Sequence, residues 1–132
     1  MAKGKILIVD DEQDVRDIFS DRLEKGGYNP IVAENGEEAI ALLRSGDNMI
    51  NVGLIMCDIR MPKVNGIECI AFLKQEAPGI PVVVVTGYPD PDMARDLIAR
   101  GIKEYLVKPV DNETMMKMVN RIVAEGKDFS LA

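Results

Sequence analysis

A chain of 132 residues, 47% hydrophobic and 29% charged, is sized and balanced for one globular domain around one core. Its net charge of −6 argues against binding to nucleic acid or an anionic membrane surface, either of which calls for a basic patch. The lack of any histidine removes imidazole acid–base catalysis, imidazole metal ligation and an internal phosphohistidine relay.

The first apolar run, Lys5-Ile6-Leu7-Ile8-Val9, predicts a strand that stops at Asp10-Asp11-Glu12. The start from Met1 to Lys5 meets those charges too soon for a secretory signal. Val15, Ile18, Phe19 and Leu23 then share one helical face, with Gly26-Gly27 as the stop. Pro30-Ile31-Val32-Ala33 predicts a second strand, and Glu34-Asn35-Gly36 a turn and helix cap. The second helix carries Ala39, Ile40, Leu42 and Leu43 and ends before Ser45-Gly46. Gly53-Leu54-Ile55-Met56-Cys57 predicts a third strand ending in Asp58, followed by a helix with Ile67, Ile70, Ala71 and Leu73 that stops at Pro78-Gly79. Pro81 to Val85 is a fourth strand ending in Thr86-Gly87. Its apolar core, Val82–Val85, is far too short to cross a bilayer. A fourth helix runs from about Pro91 to Arg100-Gly101. Ile102 to Val107 is a fifth strand ending in Lys108-Pro109. A last helix, started by Asp111-Asn112, carries Met115, Met118, Val119 and Ile122. Cys57 and Cys69 lie in apolar surroundings without metal-ligand spacing and read as reduced packing thiols of a cytoplasmic protein.

Strict strand–helix alternation, with runs apolar at nearly every position, predicts an α/β fold: a doubly wound parallel sheet with helices on both faces. Right-handed crossovers leave few topologies, of which strand order 2-1-3-4-5 is the common one for five strands. Residues 1–126 form a single domain in this reading, and 127–132 a frayed tail. Ligands of such sheets bind at the carboxyl ends of the strands, so the residues just past each run are the candidates. With strands one and three adjacent, Asp10, Asp11 and Asp58 converge, and three carboxylates so placed need a cation. Mg²⁺ suits them, because it prefers oxygen ligands, takes few carboxylates and keeps waters that a phosphate can replace. A carboxylate can accept a phosphoryl group, whose charge would call for a hydroxyl and a fixed cation; Thr86 and Lys108 supply both. Each residue also has a plain alternative. The acids suit a helix start, Thr86 an ST-turn, Lys108 a wet strand end and Tyr105 an amphipathic edge position.

Four ordered segments carry a resemblance that spans Lys5 to about Glu125. They are Ile6 to Glu12, Asp58-Ile59-Arg60-Met61-Pro62-Lys63-Val64-Asn65-Gly66, Val84-Val85-Thr86-Gly87 and Tyr105-Leu106-Val107-Lys108-Pro109. In them the chain resembles the response-regulator receivers of two-component signalling, a flavodoxin-like family. The resemblance implies that Asp58 is the phosphoacceptor, fed by a sensor histidine kinase or a phosphotransfer protein. It implies Mg²⁺ held by Asp11, Asp58 and the backbone carbonyl of Arg60, with Asp10 acting through a water. Thr86 and Lys108 would contact the phosphoryl oxygens. Thr86 would couple to Tyr105 and so switch the surface shared by the fourth helix, fifth strand and fifth helix toward an output protein. A cis Lys108-Pro109 peptide is also implied. Such a protein is a regulator rather than an enzyme, with at most self-phosphorylation from small donors and self-dephosphorylation.

Arg60 and Tyr88 stand at positions that vary in the family, and they bear on the lifetime of the phosphorylated state. A phosphatase of the haloacid dehalogenase type would need an acid where Arg60 stands and a cap over its substrate. A flavin-binding domain would need a Ser/Thr/Gly-rich phosphate loop where the chain has Asp10-Asp11. A stand-alone receiver is slightly favoured over a piece of a longer regulator.

Overall fold

The computed structural model describes residues 4–59 and 66–126. Five strands, β1 (Lys5–Val9), β2 (Asn29–Ala33), β3 (Val52–Cys57), β4 (Val82–Thr86) and β5 (Glu104–Val107), form one sheet in the order β2-β1-β3-β4-β5. All four pairings are parallel. The helices are α1 (Gln13–Lys25), α2 (Gly36–Leu43), α3 (Asn48–Asn51), α4 (Gly66–Glu76), α5 (Pro91–Ala99) and α6 (Asn112–Glu125). The expected α/β, flavodoxin-like order is therefore the observed one. Because α3 is an added single turn, the fourth and fifth helices of the sequence reading are α5 and α6.

Period-two alternation sorts the strand side chains onto the two faces. Leu7 and Val9 of β1, Ile55 and Cys57 of β3, and Val82 and Val84 of β4 pack with α2, α4 and α5 around Leu43, Ile70, Leu73 and Leu97. Their neighbours Ile6, Ile8, Leu54, Met56, Val83 and Val85 pack with α1 and α6 around Phe19, Leu23, Met115, Val119 and Ile122. The central strands β1, β3 and β4 are thus covered twice, as their unbroken apolar runs require. The edge strands are not. Val32 of β2 and Val107 of β5 are exposed, and β5 begins at Glu104, two residues later than the apolar run suggested.

Three further differences are local. On α1 the buried positions are Arg16, Phe19 and Leu23, while Ile18, expected on the apolar face, is 49% exposed. Ala71 of α4 likewise points outward while Ile70 and Leu73 are buried. The turn α3, Asn48–Asn51, has no counterpart in the sequence reading, which ended the second helix before Ser45-Gly46 and resumed at Gly53. The side chain of Asn48 stitches it in, donating from Nδ2 to the Leu42 carbonyl at 2.7 Å and accepting from Lys5 Nζ at 2.7 Å. Gly53 takes up the register shift where β1 moves from Lys5↔Val52 to Ile6↔Leu54. Both thiols are buried and free, and hydrogen bonding to Cys69, together with burial, holds the Cys57 thiol well above its usual range. Among the described residues no helix is long and apolar enough to cross a membrane.

Candidate functional site

The ends of β1, β3 and β5 deliver one residue each to a common point, and β4 ends beside them in Thr86. The sheet ladder continues one step past β1 and β3: the Asp10 N–H donates to the Ala33 carbonyl at 3.1 Å, and the Asp58 N–H to the Val9 carbonyl at 2.9 Å. Both carboxylates are thereby carried by neighbouring strands, and both are buried, Asp10 at 2% exposure and Asp58 at 4%. Beyond β5 the Lys108 N–H donates to the Thr86 carbonyl at 2.7 Å, which sets the lysine beside the end of β4. The Lys108-Pro109 peptide is cis, as expected from the sequence.

From there the ammonium of Lys108 lies between the two buried acids, 2.8 Å from Asp10 Oδ2 and 2.9 Å from Asp58 Oδ2, with Glu12 Oε1 at 3.6 Å. Burial of two carboxylates is costly, and a shared, hydrogen-bonded cation offsets part of that cost. The electrostatics carry both signs. Desolvation pushes Asp10 above the ordinary carboxylate range, against the hydrogen bonds from Lys108 and the Glu12 amide, which pull it down. Burial works to lower Lys108, but its hydrogen bonds to Asp10 and Asp58 outweigh this and hold the ammonium above its ordinary value. The repulsion expected among three bare carboxylates is therefore already relieved for two of them.

Asp11 and Glu12 border the buried pair on the exposed side. Carboxylate oxygens of Asp10, Asp11, Glu12 and Asp58 all lie within 4.8 Å of one another. This donor set is all hard oxygen with excess negative charge, and it fits Mg²⁺. Arg60, whose carbonyl and side chain both entered the sequence reading, lies outside the described residues.

Thr86 is fully buried, and its hydroxyl oxygen accepts from the Tyr88 N–H at 3.1 Å, the ST-turn foreseen as its local role. That bond occupies a lone pair and leaves the hydroxyl proton able to donate. The ring of Tyr105 packs against the α2–α4–α5 side of the core, and its hydroxyl oxygen accepts from the Asp90 N–H at 3.3 Å. Thr86 and Tyr105 are thus each tied to the segment leading into α5. The sequence reading missed Arg16, which is buried on α1 and donates from Nη1 to the Asp10 carbonyl at 2.6 Å. Its signal was present, since Arg16, Phe19 and Leu23 are spaced i, i+3, i+7 as one face.

The family profile described as the response regulator receiver domain matches residues 6–120. Protein PilH of Pseudomonas aeruginosa is 35% identical over 126 residues, covering 92% of this chain and 98% of PilH. The DNA-binding transcriptional regulator NtrC of Salmonella typhimurium is 31% identical over 128 residues, 97% of this chain but 26% of NtrC. The chain therefore spans about a quarter of the length of that relative. Among solved structures, the response regulator protein TrrA of Thermotoga maritima, in complex with Mg²⁺-BeF, superposes with a TM-score of 0.78 at 30% identity, covering 90% of this chain and 98% of that one.

Proposed function

The chain belongs to the response regulator receiver family and is a phosphoacceptor module of two-component signalling; on that premise we propose that Asp58 is the residue that takes the phosphoryl group. The observation that carries this assignment is the buried Asp58 carboxylate, held by the Lys108 ammonium at the mouth of the acidic cluster. A carboxylate oxygen of Asp58 attacks the phosphorus of a phosphohistidine on a sensor kinase or phosphotransfer protein. The O–P bond forms as the N–P bond breaks, and the electron pair leaves with the donor imidazole.

Lys108 exchanges its contact with Asp58 Oδ2 for one to a phosphoryl oxygen while keeping Asp10, so the cation never leaves the site. Thr86 donates its hydroxyl proton to a second phosphoryl oxygen. That movement perturbs the Tyr88 amide it now holds and, through the same loop, the Asp90 amide bonded to Tyr105. Tyr105 and the surface of α5, β5 and α6 then present the altered state to an output protein. Receiver domains bind Mg²⁺ at an acidic pocket. Here Asp11 and Asp58, with the Arg60 carbonyl and Asp10 through a water, would hold the ion, whose charge would neutralise the phosphoryl oxygens.

The chain's activity is that of a regulator which can also take phosphate from small donors and lose it by hydrolysis. Incubation with Mg²⁺ and acetyl phosphate is expected to add one phosphoryl group, visible by intact mass. Asp58→Asn should abolish it, and so should chelation of the metal. Undiminished labelling of Asp58→Asn would refute the assignment.

A further inference from the structure

The phosphotransfer proposed above makes no use of a buried guanidinium that lies beside the site. Arg16 is 7% exposed and occupies a place on α1 where an aliphatic side chain would pack. Its Nη1 donates to the Asp10 carbonyl at 2.6 Å and its Nη2 to Gln13 Oε1 at 2.9 Å. Among the described residues no carboxylate lies within ion-pair distance of it, so its direct partners are two neutral oxygens. A buried charge with only neutral acceptors is unfavourable unless nearby charge compensates it, and the cluster of Asp10, Asp11, Glu12 and Asp58 provides that field.

The contact falls at a decisive place in the backbone. The Asp10 carbonyl belongs to the peptide group whose nitrogen is that of Asp11, and a peptide group is planar. With Asp10 itself anchored, fixing this oxygen fixes ψ of Asp10 and so the place of the Asp11 nitrogen and Cα. The Glu12 amide, held by Asp10 Oδ1, restricts rotation at Asp11, and together they set the direction in which the Asp11 side chain leaves the chain. Asp10 is secured independently: its N–H donates to Ala33, Oδ1 accepts from the Glu12 amide and Oδ2 from Lys108. Among the described residues Asp11 has an exposed side chain and no comparable set of anchors, so its direction follows from the peptide groups on either side of it, the first of which Arg16 holds.

We propose that Arg16 is a positioning residue: by pinning the Asp10–Asp11 peptide it aims the Asp11 carboxylate at the acidic cluster and thereby sets the affinity for Mg²⁺. The inference rests on the Mg²⁺ reading given above, and the sign of the effect separates it from plain electrostatics. Removing a positive charge near a cation site should tighten cation binding if charge alone matters. Removing a positioning contact should weaken it.

The test is a Mg²⁺ titration followed by amide NMR shifts, comparing the parent protein with Arg16→Met and Arg16→Lys. The metal-free spectra report whether each variant is folded. Loss of an outer support of a metal ligand is expected to weaken Mg²⁺ binding by about 10-fold in Arg16→Met. Arg16→Lys should fall between, because lysine keeps the charge yet lacks the fork that serves two acceptors. With acetyl phosphate as donor, half-saturation in Mg²⁺ should move up by the same factor while the rate at saturating Mg²⁺ holds. A parent that binds no Mg²⁺ overturns both the metal reading and this inference. A parent that binds it, with Arg16→Met equal or tighter, overturns the inference alone. Should the methionine variant fail to fold, equal or tighter binding by Arg16→Lys does so.

Discussion

Replacing Lys108 by methionine keeps most of the aliphatic stem and deletes the ammonium that Asp10 and Asp58 share. Breaking a buried ion pair by removing one partner costs about 3–5 kcal/mol, and the lysine's 15% side-chain exposure points to the lower end, about 3 kcal/mol. For a domain of this length that corresponds to a fall of roughly 10 °C in Tm. The loss should depend on pH in a defined sense. In the parent, Lys108 is held above its ordinary value of 10.5, so its stabilisation is complete at neutral pH and is lost only above that value. Without it, Asp10 loses a hydrogen bond that opposed desolvation, and its folded pKa rises further above 3.8. A raised carboxylate favours the fold while protonated and disfavours it as pH climbs through its folded value. The deficit of Lys108→Met should therefore be small near the ordinary carboxylate value and full at neutral pH. Mg²⁺ should restore part of it at neutral pH by supplying the missing positive charge. Urea unfolding followed by far-UV circular dichroism, over a pH series with and without Mg²⁺, measures all of this. A deficit that is constant with pH and indifferent to Mg²⁺ would mean that lost packing, not charge, accounts for it.

Four further outcomes are expected. At a concentration of 100 times the parent's Kd, Mg²⁺ should stabilise the parent by about 2.7 kcal/mol, and a variant binding tenfold more weakly, as anticipated for Asp11→Asn, by about 1.4 kcal/mol. Metal-free Asp11→Ala should melt at or above the parent, and a lower Tm would contradict the repulsion argument. Asn35→Ala removes the side-chain cap that accepts from the Glu38 amide at 2.9 Å and should cost about 1 kcal/mol in chemical denaturation without altering phosphorylation. Phosphorylated protein should decay faster after donor removal in Tyr88→Ala, Arg60→Ala and the double variant; equal decay in all four proteins would show that these side chains do not govern the lifetime of the phosphorylated state.

Much of the fold was legible because each central strand needs two apolar faces, and such runs as Ile6 to Val9 and Val82 to Val85 have few other uses. The edges were less legible. Ile102 is buried and yet precedes β5, because it packs against the α2–α4–α5 side of the core without entering the ladder. Strand ends pointed to Asp10, Asp58, Thr86 and Lys108 because topology alone brings those ends together. What the sequence could not convey was the pairing within the site. Lys108 was read as a partner for an incoming phosphoryl group, whereas in the resting protein it lies between two acids. Arg16 escaped because a charged residue at i, i+3 from Phe19 is ordinarily assigned to solvent, and only burial reveals otherwise.

The ladder bonds that run past the strand ends have a dynamic consequence. The amides of Asp10, Asp58 and Lys108 are hydrogen-bonded to neighbouring chain segments at 3.1, 2.9 and 2.7 Å, continuing the sheet ladder. Their hydrogen exchange should then follow opening of the whole sheet, not local fraying, and their protection should approach that of the core. The Tyr88 and Asp90 amides, in the segment before α5, are instead held by the side-chain oxygens of Thr86 and Tyr105. The domain thus joins a laddered cradle to a loop that rests on two side-chain hydrogen bonds, whose amides should exchange sooner than those of the cradle. A chemical change at the cradle can be expressed only where the backbone is free to yield.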